Sequence, residues 1–461
     1  MKYLNEYKQK AEQVLIDKTP NIDFKDKVTF AEKVNVPSKI NPLAYLIPTF
    51  SGVLCLAIVL GVVLGTSGSP FDAANPPEYY QNVPDARNSV ATWSNPASLD
   101  IYNRFVATFA PLVFASEETP DAQSFSPVDA FVNIAILGYV STGDSQSEIL
   151  EALGVTSVEE LSAVTKDVIS VLGSDSGYSL NSFWYDEAKY SLREGSDELL
   201  SVLSSHYYSS VIAQRPTTGL VNEWLNLYVP KDIFPIIPEV ELDERGADAA
   251  IVSSYFAKSG WIDSNLGGIF ENQYDSGSHK MVFNGQKGEA SVDYIEYGGK
   301  LLSSDLFSGV EMQLEDMEIS FFLPDDTNTV ADIFLGVVER DYRDDTGDIA
   351  AHVPYFKIDN RLDLTSPLQQ YGLSGVFNIG AAQGIVDTEE LVVTKSTQFS
   401  TMSFDYGGLY SASVTVTELN ETAIPGYFDS ENYIEFNRPF VFTATYRGAI
   451  ILVGQIYNPN Y

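Results

Sequence analysis

Cysteine is nearly missing from this chain: Cys55 is the only one in 461 residues, and it lies inside an uncharged apolar run. No disulfide framework can staple the rest, which must hold together by packing. Histidine is also scarce. His206, His279 and His352 stand far apart, with no HExxH pair and no Cys/His spacing that would hold zinc, so neither a metal nor a cofactor is expected. Positive charge is short as well: 27 Lys and Arg face 63 Asp and Glu, a net charge of -36. A surface of that sign repels phosphate backbones and excludes nucleic acid as a partner.

Nucleophile and carboxylate motifs fail on their context. Gly143-Asp144-Ser145 is followed by Gln146 and Ser147 where an oxyanion turn needs glycines, and it lies between helical patterns, as a turn with a helix cap does. Gly173-Ser174-Asp175-Ser176-Gly177 runs from a helical pattern into a strand-like one, the reverse of a nucleophile elbow. Asp341, Asp344, Asp345 and Asp348 lack the closing Glu and the regular ligand alternation of a calcium loop. Asp325 and Asp326 follow the apolar run ISFFLP and read as a turn after a strand. No catalytic residues emerge, so the chain is not expected to be an enzyme.

What is present is 44% apolar residues with 20% charged ones, enough for one large core. Ala44 to Gly65 carries no charge over about 22 residues, the length that crosses a bilayer as a helix. Lys25, Lys27, Lys33 and Lys39 precede it and Arg87 is the first positive charge after it, which predicts residues 1–43 as a cytoplasmic tail and the remainder outside the cell. A signal cleaved near Thr66-Ser67 is the competing reading, and the 43 preceding residues weigh against it. Residues 66–97 hold Pro70, Pro76, Pro77, Pro84 and Pro96 and read as a tether, with the folded domain at 98–461. Ile101, Phe105, Phe109 and Leu112 keep helical spacing, as does the stretch from Asp129 to Leu153, whereas 281–297, 317–323, 391–404 and 438–457 are strand-like. Helices first and strands later predict an α+β fold.

Several segments in order resemble the serpin family. They are FSPVDAFVNIAILGYVSTGDSQSEILEALG (125–154), SLNSFW (179–184), VNEW (221–224), SSYFAKSGW ending at Trp261, MEISFFLPDD (317–326), VPYFKIDNRLDLTSPLQQYGLSGVF (353–377) and FNRPFVFTATYRGAIILVGQIYNP (436–459). Together they span most of the chain beyond the tether. The resemblance implies a large, mostly antiparallel central sheet, smaller sheets, eight or nine helices and an exposed reactive loop between LVVTKSTQFSTMSFD (391–405) and FNRPF (436–440). It also implies a monomer that inhibits serine-type proteases: the loop is cut as a substrate, enters the central sheet as a new strand and traps the acyl-bound protease. Trp261 falls where the family's Trp marks the top of that sheet.

Read for strand compatibility, the loop has no charge from Tyr406 to Thr417, and Val414 to Thr417 is β-branched throughout. Period-two alternation places Leu409, Ser411, Ser413 and Thr415 on one face and Tyr410, Ala412, Val414 and Val416 on the other. An ungapped match from Leu391 makes Gly408 the hinge glycine, the hinge Gly408 to Thr415, and the reactive bond Thr422-Ala423. The loop also departs from the family pattern: Tyr406 replaces a Glu, and Leu409 and Tyr410 replace Thr and Glu. Their bulk favours the alternative of a non-inhibitory serpin that acts as a binding or sensor ectodomain. Thr422 suits an elastase-like or subtilisin-like protease, while cleavage at Leu419, Tyr427 or Phe428 stays open and the last two suit a chymotrypsin-like one.

Overall fold

The computed structural model describes residues 92–115, 120–243, 247–261, 274–378, 380–388, 390–405, 408–411 and 433–459, with 83–85 and Arg87; of 274–279 and 345–348 only the backbone is described. All belong to the compact unit Ala73–Tyr461. The segment expected to span the membrane, 44–65, and the tail 1–43 lie outside the described residues, as does most of the tether. Among the described residues no helix is long and apolar enough to cross a membrane.

Apolar residues at helical spacing open the folded part. Helix α1 (Pro96–Phe114) turns Ile101, Phe105 and Phe109 inward, with Phe105 and Phe109 stacked at 5.1 Å. Pro96, counted with the tether by composition, is the first residue of α1; its missing N–H costs nothing there. The three residues before it are already fixed, because Trp93 Nε1 donates to the Arg447 carbonyl and the Asp167 carboxylate accepts from the amides of Ser94 and Asn95. Strand β1 (Ala122–Phe125) follows, then α2 (Pro127–Val140) and α3 (Gly143–Leu153). The helical pattern expected over 129–153 is two successive helices, parted at Ser141-Thr142, where the chain is extended.

Helix α4 (Val158–Leu172) leads into β2 (Gly177–Tyr185) through a tight turn in which Ser174 Oγ accepts from the amides of Ser176 and Gly177. Next come α5 (Asp197–His206), β3 (Ser209–Ile212), α6 (Thr218–Tyr228) and β4 (Ala249–Ser259). The strand-rich half holds β5 (Tyr274–Gly285), β6 (Gly288–Ser303), β7 (Phe307–Gln313), β8 (Glu318–Pro324), α7 (Val330–Glu339), β9 (Arg343–Pro354), β10 (Phe356–Asp363) and α8 (Thr365–Gln370). The chain ends with β11 (Thr397–Asp405), β12 (Gly408–Ser411), β13 (Tyr433–Glu435), β14 (Phe440–Tyr446) and β15 (Ala449–Ile456).

Two sheets carry these strands. One has nine in the order β1-β15-β14-β8-β7-β6-β9-β13, with β5 also on β6; the other has six, in the order β10-β11-β12-β4-β2-β3. Pairing is antiparallel except at β2–β3 and β9–β13. The smaller sheets expected from the resemblance are here one continuous sheet. Its cause is the 16-residue β6, which carries β5 and then β7 along one edge and β9 along the other.

The two sheets meet over an aromatic core. Phe321 on β8 lies 5.0 Å from Phe404 on β11, and Phe356 on β10 lies 5.1 Å from Phe442 on β14. Each such buried ring stabilises the fold by roughly 1.5–3 kcal/mol relative to exposure. On the far side of the six-stranded sheet α6 is held by Trp224, whose ring meets Trp184 of β2 edge-on at 6.0 Å. The strand expected over 391–404 begins only at Thr397, because Leu391 and Val393 bond to loop amides and carbonyls at Ala381 and Val376 instead of a ladder.

Candidate functional site: the hinge in the six-stranded sheet

The residues singled out as a hinge meet the fold at one place. β12 lies between β11 and β4 and is antiparallel to both. Leu409 is level with Phe404 and Ser259, Tyr410 with Ser403 and Lys258, and Ser411 with Met402 and Ala257. Of the exposed loop expected from the resemblance, Gly408–Ser411 are therefore already part of the sheet. Ala412, Ser413, Val414 and Thr415, and the expected reactive bond Thr422-Ala423, lie outside the described residues.

Local chemistry explains why these four residues fit. Gly408 has φ +107, a region that side chains avoid, and a Cβ there would stand 2.4 Å from the Ser259 carbonyl oxygen. Leu409 is fully buried, and its cross-strand neighbours on β4 include the small Ser259 and, two residues back, Ala257. On its other side it is level with the large Phe404 of β11, and its complete burial shows that this position accommodates the bulk that weighed against insertion when only the sequence was read. Tyr410 faces the other way and lies under the Lys258 ammonium, 5.6 Å from the ring centre. The inside–outside alternation of Leu409, Tyr410 and Ser411 is the one expected from period two.

Trp261 closes the same end of the sheet. Its Nε1 donates to the Asp405 carbonyl at 3.1 Å, and its ring packs 4.8 Å from Tyr297 and 5.6 Å from Phe404. It forms a bridge to Leu314, while Asp316 N donates to Ser259 Oγ and Glu315 N to the Gly260 carbonyl. The upper end of β4 is thus stitched to the β7–β8 turn. Tyr297, Lys258 and the Asp405 carbonyl are parts of this site that sequence reading did not single out. Only cross-strand register brings them together.

Ser411 is the last described residue of β12, and β11 and β4 extend farther down on either side of it. Among the described residues the facing edges of β11 below Met402 and of β4 below Ala257 carry no ladder pairing. Beside the lower end of β11 the α6–β4 connection passes over the sheet, and a groove of about 510 Å³ separates Ile236–Glu239 from Lys357, Arg361, Phe399 and Thr401. That connection is pinned by Asn222, which exchanges hydrogen bonds with Val240, and by the Arg361–Glu241 ion pair at 2.7 Å. On the opposite face Gln398 of β11 is tied to the start of α2, exchanging hydrogen bonds with the Ser126 backbone and donating to Asp129 Oδ1 at 2.9 Å. Burial pushes the Asp129 carboxyl up to about 7.

Comparison with known proteins agrees with this geometry. A family model described as Serpin (serine protease inhibitor) matches residues 105–459. Alpha-1-antiproteinase 2 of Equus caballus is 24% identical over 362 residues, 73% of this chain and 81% of that protein. Among solved structures, Serpin48 of the insect Tenebrio molitor superposes with a TM-score of 0.61 at 16% identity, covering 78% of this chain and 99% of its own. Thyroxine-binding globulin in complex with thyroxine does so with a TM-score of 0.60 at 16% identity, with the same coverage.

Proposed function

Because the chain belongs to the serpin family, we propose that it is a membrane-anchored inhibitor of serine-type endopeptidases, held outside the cell by residues 44–65. The observation that supports this reading is β12, seated between β11 and β4, whose facing edges below it carry no ladder pairing among the described residues. In the proposed reaction the protease serine Oγ attacks the Thr422 carbonyl carbon. The Thr422-Ala423 amide breaks, Ala423 keeps the new amine and Thr422 stays esterified to the enzyme. The freed segment then extends β12 downward, each new ladder bond adding about 0.5–1.5 kcal/mol, and the tethered protease is carried with it.

Charge defines the kind of protease. Between Lys395 and Arg438 the chain carries Asp405, Glu418, Glu421, Asp429, Glu431 and Glu435 and no Lys, Arg or His. A protease with a positively charged rim around its cleft fits such a bait. Within the reading, Thr422 selects an elastase-like or subtilisin-like enzyme, and cleavage at Tyr427 or Phe428 a chymotrypsin-like one.

A second reading keeps the fold and drops the trap. A neighbour in fold binds thyroxine, so the architecture also serves binding proteins, and the groove beside β11 gives this chain a concave surface of its own. Mixing the full chain in detergent with elastase, chymotrypsin or subtilisin separates the two. Inhibition predicts a protease–chain adduct that survives SDS; simple nicking of the loop with active protease left over supports the binding protein.

A further inference from the structure

The groove beside the lower end of β11 has one apolar wall and one charged wall. Ile236, Ile237 and Pro238 of the α6–β4 connection form the first, and Lys357 and Arg361 of β10 belong to the second, with Phe399 of β11 between them. Lys357, Asp359 and Arg361 alternate along β10 and so share the face that lines the groove. Its volume of about 510 Å³ is a size that takes a small organic molecule.

The charged groups differ in how firmly they are held. Asp359 is engaged within the sheet: it accepts a hydrogen bond from Thr401 Oγ1 and pairs with Lys357 at 3.0 Å. Arg361 lies over the Phe399 ring, 5.1 Å from its centre, and its Nη1 donates to Glu241 Oε2 at 2.7 Å. Glu241 is 70% exposed against 42% for Arg361, so its carboxylate reaches the guanidinium from solvent. An ion pair exposed to that degree holds weakly and exchanges readily. Among the described residues the backbone amides of Ile236, Ile237 and Glu239 have no protein partner, which leaves further donors along the apolar wall. The lining as a whole carries two cations, Lys357 and Arg361, and two carboxylates, Asp359 and Glu239. In a chain of net charge -36 such a neutral lining repels an anion less than the surface at large does.

We propose that this groove binds a small amphipathic carboxylate, an organic acid with an aliphatic or aromatic tail, and that Glu241 holds the place its carboxylate takes. The tail leaves water against Ile236, Ile237 and Pro238. The carboxylate displaces Glu241 and forms a charge-assisted hydrogen bond with Arg361, over the Phe399 ring. Glu241 is therefore a built-in competitor: neutralising it strengthens binding, and neutralising Arg361 weakens it. The site deepens the binding-protein reading and rests on that reading for its role, but the groove lies apart from the loop and is titrated with no protease present.

Calorimetric titration of the full chain in phosphatidylcholine nanodiscs, with empty discs as the blank, tests the site. The probes are decanoate and 2-naphthoate, which separate an aliphatic from an aromatic tail, and 2-naphthamide as a neutral analogue. One or both acids are expected to bind one to one, with the amide at least about tenfold weaker, the scale of one charge-assisted hydrogen bond. R361Q should lower the affinity by about the same factor, and E241Q should raise it about two- to fivefold, the scale of an exposed ion pair. K189Q, outside the groove, should change nothing. A gain in E241Q cannot come from misfolding, so the opposite signs of the two variants carry the test. The proposal is overturned if neither acid binds to wild type or E241Q, if the amide binds as well as the acid, or if E241Q and R361Q shift the affinity the same way. None of these results depends on whether the protease mixtures give an adduct or only nicked chain.

Discussion

Trp261 and Asp405 lie 144 positions apart in the chain and are joined by one hydrogen bond, from the indole Nε1 to the backbone carbonyl at 3.1 Å. The bond spans the ends of the two strands between which β12 sits. It therefore fixes the width of the gap at its mouth.

W261F keeps an aromatic ring against Tyr297 and Phe404 but removes that donor. A part-buried hydrogen bond contributes about 1 kcal/mol, so the uncut protein is expected to melt a few degrees lower. Scanning calorimetry checks this, and an unchanged Tm would mean that ring packing alone holds the mouth.

G408A acts on the wedge itself. The new methyl group meets the Ser259 carbonyl oxygen at 2.4 Å and sits on a backbone with positive φ, which costs roughly 1–2 kcal/mol before any clash is relieved. Cleavage should then outrun insertion. The expected result is more nicked chain and fewer SDS-stable adducts per protease added, measured as stoichiometry of inhibition.

Much of this fold is legible in the sequence, and the hinge only partly. The stretch from Phe125 to Gly154 declares its helices through spaced apolar residues, whereas Gly408 is assigned as hinge only through the resemblance, by an ungapped match from Leu391. What cannot be read is register. That Leu409 lies level with Ser259 on β4 and Phe404 on β11 is set by strand pairing, and these identities mean nothing until the strands are paired. The union of the strand-rich half into one sheet likewise depends on β6 accepting β5 and β7 in succession on one edge.

Asp129 gives stability a pH dependence of known sign. Its folded pKa is raised to about 7 by burial, so the native state holds a proton that the unfolded chain releases near pH 4. Stability is full below that pH, falls as pH rises toward 7, and stays lower beyond it. D129N removes the cost and keeps an acceptor for Gln398; it should raise Tm at pH 8, by roughly 1–2 kcal/mol of stability, with the gain shrinking toward pH 5. Equal gains at both pH values would contradict the assignment.

The acidic loop makes association sensitive to salt. With a protease of positive rim, raising ionic strength from 0.05 to 0.5 M is expected to lower the association rate several-fold, while a protease of acidic rim gains speed or stays slow throughout. Stopped-flow progress curves at a series of salt concentrations distinguish the two.

Inhibition as proposed requires the loop to enter between β4 and β11, and one measurement addresses that alone. The loop is nicked with a protease that is then removed, and the melting temperature of the nicked chain is compared with that of the intact one. Entry predicts a rise of tens of degrees, since a full strand joins an incomplete ladder; a nicked chain that melts where the intact one does would contradict it.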